Sequence, residues 1–301
     1  IEIFLDEEGN FKDFIAKGTV RDFEATFLDN LSLTKMKFSF FADKNDILVK
    51  SIFGNFEDVK IFDGDIKINL ENGIRLNSNF NSSVKLNKDY LKKYEKFYNK
   101  NNLLSQLSSI DVTLNNNFYI VFDETYKVTD YNYSLSGDLK KSEIILAKPI
   151  ENEFIEEKIN KIFFSNFKFQ SIFTPDNIKF SGDGEYSFNN LDYLKVNFEN
   201  NLKDNKMDLK LNFEFRKNLN IEILNYKTSS NSLSNFSINL NKQKDIIKIN
   251  ELNFNEKNNV IKLKNIHLKN NKLFSFDELM IKTNNNNFFI KNDKKILIKG
   301  S

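Results

Sequence analysis

The chain has 301 residues, enough to bury a sizeable core as one large domain or two ordinary ones. Its 44 basic and 42 acidic side chains leave a net charge of +2, with both signs spread along the whole length, so bulk charge gives no reason to expect nucleic acid or an anionic membrane surface as a partner. There is no cysteine, which excludes a disulfide framework and a thiolate metal site.

Lysine far outnumbers arginine, and asparagine, phenylalanine and isoleucine are abundant, a bias that fits an AT-rich genome. The longest uninterrupted apolar run is "FYIVF" at 118–122, far short of the roughly 20 residues a membrane helix needs. The chain opens in a strand-like segment ("IEIFL") and closes in another ("KKILIKGS"). It reads as a piece of something longer, with any targeting or anchoring segment outside it.

In chain order, "FEATFL" (23–28) is the first clear alternation of apolar and polar residues. The longest is "DGDIKINLENGIRLNSNFNSSVKL" (63–86). There the apolar residues Ile66, Ile68, Leu70, Ile74, Leu76, Phe80, Val84 and Leu86 are all even-numbered, and every odd position from Asp65 to Lys85 is polar or glycine. A period of two means strands with one apolar and one wet face. A two-residue Asn72-Gly73 loop would put Leu70 and Ile74 on opposite faces. A three-residue loop, Glu71-Asn72-Gly73, pairs them and places Gly73 at the left-handed position.

"NKDYLKKYEKFYNKNNLLSQL" (87–107) breaks the alternation. Tyr90, Leu91, Tyr94, Phe97 and Tyr98 form a stripe at helical spacing behind an Asn87 N-cap, and Leu103, Leu104 and Leu107 follow in a second turn or a continuation, so a helix is expected over about 88–107. "NNN" at 115–117 is expected as a loop or hairpin tip, and "SLSGDL" (134–139) as strand. "PIENEFIEEKINKIFF" (149–164) suggests a second short helix from about Glu151 to Lys161, with Phe154, Ile155 and Ile162 on one side. Both stripes suit packing on a sheet better than anchoring in a membrane.

Alternation then resumes. "NIKFSGDGEYSF" presents Ile178, Phe180, Tyr186 and Phe188, and the next segment Leu194, Val196 and Phe198. "KMDLKLNFEFRKNLNIEIL" presents Met207, Leu209, Leu211, Phe213 and Phe215, then, beyond "RKN", Leu219, Ile221 and Ile223. "KDNK" (203–206) is expected as a four-residue loop pairing Leu202 with Met207. "RKN" (216–218) is expected as a three-residue loop with Asn218 at positive φ. "SNFSINL" (234–240), "NVIKLKNIHL" (259–268) and "DELMIK" (277–282) continue the pattern, with "NNNN" (284–287) as a loop. Three turns that preserve one sidedness predict a meander of antiparallel hairpins. No Gly-, Ser- or Pro-rich linker divides it. Residues 1–301 are expected as a single extended segment with a soft division near 150.

Signatures of chemistry are sparse. His267, the only histidine, sits at a strand position on the face assigned to solvent, and no G-x-S-x-G elbow accompanies it. "FDGD" (62–65) and "SGDG" (181–184) fall where turns or bulges are expected. No phosphate-cradling or dinucleotide glycine motif occurs. The expectation is no enzyme, no metal and no cofactor. The apolar face could close on a second sheet as a sandwich, close on itself as a barrel, or stay open as a trough.

The order of segments resembles the β-rich periplasmic region of bacterial AsmA-like proteins of the TamB and YhdP types. The segments that carry the resemblance are "VRDFEATFLDNLSLTKMKFSFFADKNDILVKSIFG" (20–54), "VKIFDGDIKINLENGIRLNSNFNSSVKLN" (59–87), "YLKKYEKF" (90–97), "SLSGDLKKSEIILAKPI" (134–150) and the hairpins to the end. The likeness is one of style and order over most of the chain, and the N-terminal membrane helix and C-terminal part of the family are absent. It implies a mostly β fold: a long curved antiparallel sheet, an open groove shaped like a taco shell, with one or two short amphipathic helices. It also implies a segment of an inner-membrane-anchored periplasmic protein of the bridge-like lipid transfer group. Its apolar groove, floored by the alternating residues named above, would carry phospholipid or other acyl chains between the inner and outer membranes and support outer-membrane biogenesis, with no nucleic acid as partner. The alternative is a non-enzymatic β-sandwich module that scaffolds envelope assembly.

Overall fold

The computed structural model describes residues 1–27, 31–71, 73–93, 106–152, 154–229, 231–270, 272–293 and 295–300. The chain divides into two compact units. The first comprises 1–94, 109–140 and 170–176; the second comprises 95–108, 141–169 and 177–301.

The first unit holds β1 (Glu2–Leu5), β2 (Phe11–Phe27), β3 (Leu31–Ala42), β4 (Asp46–Phe56), β5 (Val59–Asn69), β6 (Ile74–Asn87), the six-residue helix α1 (Lys88–Lys93) and, from Ser109, β7 (Leu107–Phe122). Each strand from β1 to β7 pairs antiparallel with the next. Two long strands, β8 (Val128–Asn152) and β9 (Ile155–Thr174), give residues to both units.

The second unit continues with β10 (Asn177–Ser187), β11 (Leu194–Lys203), β12 (Lys206–Phe215), β13 (Asn220–Ile221), β14 (Tyr226–Lys227), β15 (Ser234–Gln243) and β16 (Ile246–Glu256). It ends with β17 (Asn259–Lys269), β18 (Lys272–Ser275), β19 (Glu278–Lys282), β20 (Asn287–Asp293) and β21 (Lys295–Gly300). β9 pairs with β10, and the order then runs β10, β11, β12, β15, β16, β17, β19, β20, β21, with β18 beside one end of β17. The pairing is antiparallel throughout, and among the described residues it closes neither unit into a barrel. Each unit is therefore the meander that the alternation predicts.

The "ENG" turn has the odd length that parity requires. Asn69 faces Arg75 and Ile68 faces Leu76 across it, and Gly73 has φ +99°. In the first unit the alternation changes phase within four neighbouring strands, at Asp22, Lys35, Ser51 and Asp63. All four have φ between +53° and +55°, and each marks a bulge. The bulges share one height: Phe23 faces Met36, Ile52 faces Gly64, and the Met36 side chain lies over Gly54, where a Cβ would collide with it. Aligned bulges bend and twist all four strands along one seam. "FDGD" is thus a bulge, but "SGDG" is not a turn. Gly182 and Gly184 lie inside β10 opposite Phe198 and Val196, and their missing side chains make room for the buried Phe167 ring.

Other expectations need correction. The proposed helix at 151–161 is strand, the end of β8 and start of β9; its isoleucines are β-branched, and ladder pairing outweighs a helix too short to be stable alone. Of the proposed helix 88–107, α1 covers Lys88–Lys93, with the Asn87 side chain accepting from the backbone N–H of Asp89 (3.1 Å) and Tyr90 (3.3 Å). Tyr90 is exposed, Leu107 already belongs to β7, and Tyr94, Phe97, Tyr98, Leu103 and Leu104 lie outside the described residues.

"NNN" at 115–117 lies inside β7 rather than at a tip. Asn79, Asn117, Asn115 and Asn81 link their amides in a chain across β6 and β7, so side-chain hydrogen bonds support strand where composition suggested a loop. "KDNK" closes on two residues, not four: Lys203 pairs with Lys206, and Asp204 and Asn205 both have positive φ, as a type I′ turn requires. Leu202 still faces Met207. "RKN" is no hairpin loop at all, because β12 pairs onward with β15 and the chain between them leaves the sheet.

An apolar face with a roofed edge

In the first unit the register puts Ile66, Ile68, Leu76, Phe80, Val84 and Leu86 on one face with Ile120, Val112 and Ile110, and Leu70 and Ile74 follow at the turn. Leu86 and Val112 are buried, whereas Leu70 is 37% exposed. Phe80, Phe118, Tyr133 and Phe173, from four successive strands, stack with centroids 5.8, 4.1 and 5.5 Å apart. Beneath the stack, buried Asn116 donates to Ser82 Oγ (3.1 Å) and accepts from the Tyr133 hydroxyl (3.1 Å). Burial raises the Tyr133 pKa.

The second unit repeats the design over a wider area. One face carries Ile178, Phe180 and Tyr186 from β10; Leu194, Val196 and Phe198 from β11; and Met207, Leu209, Leu211, Phe213 and Phe215 from β12. It continues through Phe236, Ile238 and Leu240, Leu252 and Phe254, Ile261 and Leu263, Leu279 and Ile281, to Phe288 and Ile290. Phe188 lies just past β10, its ring 5.2 Å from that of Tyr186 and 6.2 Å from that of Phe215. Phe213, Phe236 and Phe254 follow one another across three neighbouring strands at 4.9 and 5.0 Å.

Leu219 and Ile221 line the same cavity as this floor, as the alternation suggested, but from a hairpin over the sheet rather than from the floor itself; the side chain of Ile223 lies outside those described. Residues 219–229 form a small hairpin, β13 with β14, joined by a single 3-10 turn at Glu222–Leu224. It lies over the apolar face, burying Leu219 and Tyr226 against Phe254, Ile261 and Ile281. We call it the roof.

The roof also reports the curvature of the unit. The Asn220 N–H donates to Phe154 O (2.9 Å), beside β9, while Leu224 O accepts from Asn286 Nδ2 in the turn after β19. Five residues, 220 to 224, span at most about 17 Å. On a flat sheet, the seven ladder steps from β9 to β19 would cover roughly 34 Å. The sheet of the second unit is therefore curled, with its apolar face inside.

Under the roof the curl forms an open-sided cavity of about 820 Å³. Its seventeen lining residues include Phe154, Phe213, Leu224, Leu252, Leu279 and Ile290, and sixteen of them are apolar, Asn286 being the exception. A polar latch fastens the roof at one side. Glu256, 1% exposed, accepts from the Tyr226 hydroxyl (2.9 Å), Asn259 Nδ2 (2.7 Å) and the Ser229 N–H (3.4 Å). Burial works against its charge, but these hydrogen bonds outweigh it and hold its pKa well below the usual carboxylate range. Tyr226 is shifted the other way, by burial and by the carboxylate it faces.

Among the described residues no group of His, Asp and Glu is spaced to hold a metal, and no helix is long and apolar enough to cross a membrane. His267 is half-buried in β17 opposite Lys248 and Ser275, on the face away from Ile266 and Leu268. Sequence reasoning named the alternating segments that supply Phe236 and Ile261 without singling out those residues, and did not name the segment that supplies Phe254. The roof gave no signal, because Leu219 and Ile221 keep the parity of β12. No family model, no curated protein and no solved structure matches the chain.

Proposed function

We propose that the chain holds acyl chains on its apolar face, as a lipid-carrying segment of a bacterial envelope protein in the periplasm, of the kind its segment order resembles. The observation that carries this reading is the cavity of about 820 Å³ in the second unit with sixteen apolar lining residues. Its size is that of a ligand pocket, roughly 300–1,000 Å³. Each methylene kept out of water there contributes about 0.8 kcal/mol. A lining whose one polar side chain, Asn286, is engaged by the Leu224 carbonyl lets a chain slide with little change in free energy, which suits carriage rather than chemistry. An adjoining membrane anchor and transfer between inner and outer membranes belong to the same proposal.

The roof favours a second reading, a ligand-free structural module whose apolar face is closed by its own chain. The two separate in one experiment. A photo-reactive phenylalanine analogue is placed at Leu252 or Phe288 in cells, and the irradiated protein is analysed by mass spectrometry. Acyl-lipid adducts at both positions are expected. Crosslinks solely to the protein's own roof would leave the structural module standing.

A further inference from the structure

The hairpins of the second unit alternate between two edges. One edge carries the roof, with the turns at 257–258 and 283–286. The other carries the turns at 204–205 and 244–245, the end of β17 and the starts of β10 and β18. Along this second edge, residues 177–179, 202–208, 242–248 and 267–272 contain eight lysines (Lys179, Lys203, Lys206, Lys242, Lys244, Lys248, Lys269 and Lys272) against three aspartates. All eight lysines are exposed. The roofed edge, over 185–195, 214–234, 255–259 and 282–287, has six basic and five acidic residues. A net charge near zero thus hides a strong sorting of charge by topology.

Apolar side chains are exposed among the same lysines. Ile246 is 51% exposed, Leu273 62% and Phe274 77%, and Ile178 and Leu202 also lie open. Along β12 the apolar face runs from this edge to the roof through Met207, Leu209, Leu211, Phe213 and Phe215. Cations flanking exposed apolar tips complement a surface that is anionic outside and hydrocarbon within. A soluble acidic protein would match the lysines but leave Leu273 and Phe274 in water.

We propose that the lysine edge of the second unit is the surface by which this chain docks on an anionic lipid membrane, with Ile246, Leu273 and Phe274 entering the headgroup region. Docking there sets the open end of the apolar face against the lipid it would take up. The inference extends the acyl-chain reading above by naming its partner, and it is measured separately from cavity occupancy.

The test is co-sedimentation of the full chain with vesicles of phosphatidylcholine alone or of phosphatidylcholine with phosphatidylglycerol. Binding is expected to the anionic vesicles and to weaken as salt rises. Each lysine among Lys242, Lys248, Lys269 and Lys272 replaced by glutamine should weaken it about fivefold. Phe274→Asp should weaken it further, and Lys195→Gln with Lys282→Gln at the other edge should leave it unchanged. These exposed positions can change without loss of fold, checked by circular dichroism. Equal binding to both vesicle types, no binding to either, or an equal loss with the Lys195 and Lys282 pair overturns the docking inference. Tighter binding to a single-stranded oligonucleotide than to the anionic vesicles overturns it as well. Photo-crosslinked lipid at Leu252 without vesicle docking would sink this inference and leave the acyl-chain reading intact; docking without crosslinked lipid would do the reverse.

Discussion

The two edges of the apolar face in the second unit are made by the same strands, yet they differ in every physical respect. At one, Phe254, Ile261 and Ile281 are buried beneath Leu219 and Tyr226, and a buried carboxylate fastens the cover. At the other, Ile178 and Leu202 are open among lysines. An amphipathic strand therefore specifies which residues share a face but not whether that face is covered. Covering depends on what the connections do, and here a single connection, from β12 to β15, accounts for the difference.

This contrast can be broken at the roofed edge first. Phe254→Ala removes a ring that is 2% exposed and touches both floor and roof, and should cost about 3–5 kcal/mol in urea unfolding. A loss below about 1 kcal/mol would mean that the edge collapses readily and that the roof adds little.

The latch should matter less. Glu256→Gln keeps the shape but weakens two charge-assisted bonds, for a loss of about 1–3 kcal/mol. It also carries a pH signature. The folded pKa of Glu256 is depressed, so its contribution is fully present above the unfolded carboxylate value near 4.5 and is lost as pH falls toward the lower folded value. Thermal melts of the parent between pH 5 and pH 3 should lose stability more steeply than those of Glu256→Gln; parallel profiles would remove the latch from the account. Smallest of all should be Leu273→Ser at the lysine edge. With that side chain 62% exposed, stability should change by no more than about 0.5 kcal/mol, which urea titration would resolve from the roofed-edge losses.

Much of this architecture was legible in the sequence for one reason: parity survives hydrogen bonding. The alignment of Leu70 with Ile74 and the single face of Met207 to Phe215 follow from counting residues through turns. What escaped did so because local signals were ambiguous. Leu219 and Ile221 keep the strand period while leaving the sheet. Asn115 to Asn117 have loop composition, yet they are held in strand by amide bonds to a neighbour more than thirty positions away. Residues 155–161 satisfy a helical stripe and a strand alike, and the neighbouring β8, to which Lys158 and Lys161 reach through Glu151 and Glu143, decides between them. The lysine edge was invisible to net charge. It exists because alternate turns, spaced along the chain, are brought side by side.

The seam of bulges in the first unit bears on how such a protein can change. Each bulge residue acts as a frameshift in a two-letter pattern: β4 presents Ile47 and Val49 before Ser51, then Ile52 and Phe56 after it, odd numbers giving way to even ones. Replacing Ser51 leaves the frame intact. Removing it would turn one half of the strand inside out, exposing two large apolar side chains and carrying their polar neighbours inward. A sheet of this kind drifts freely in composition but resists single-residue changes in length, and its neighbouring strands are bound to gain or lose such residues together.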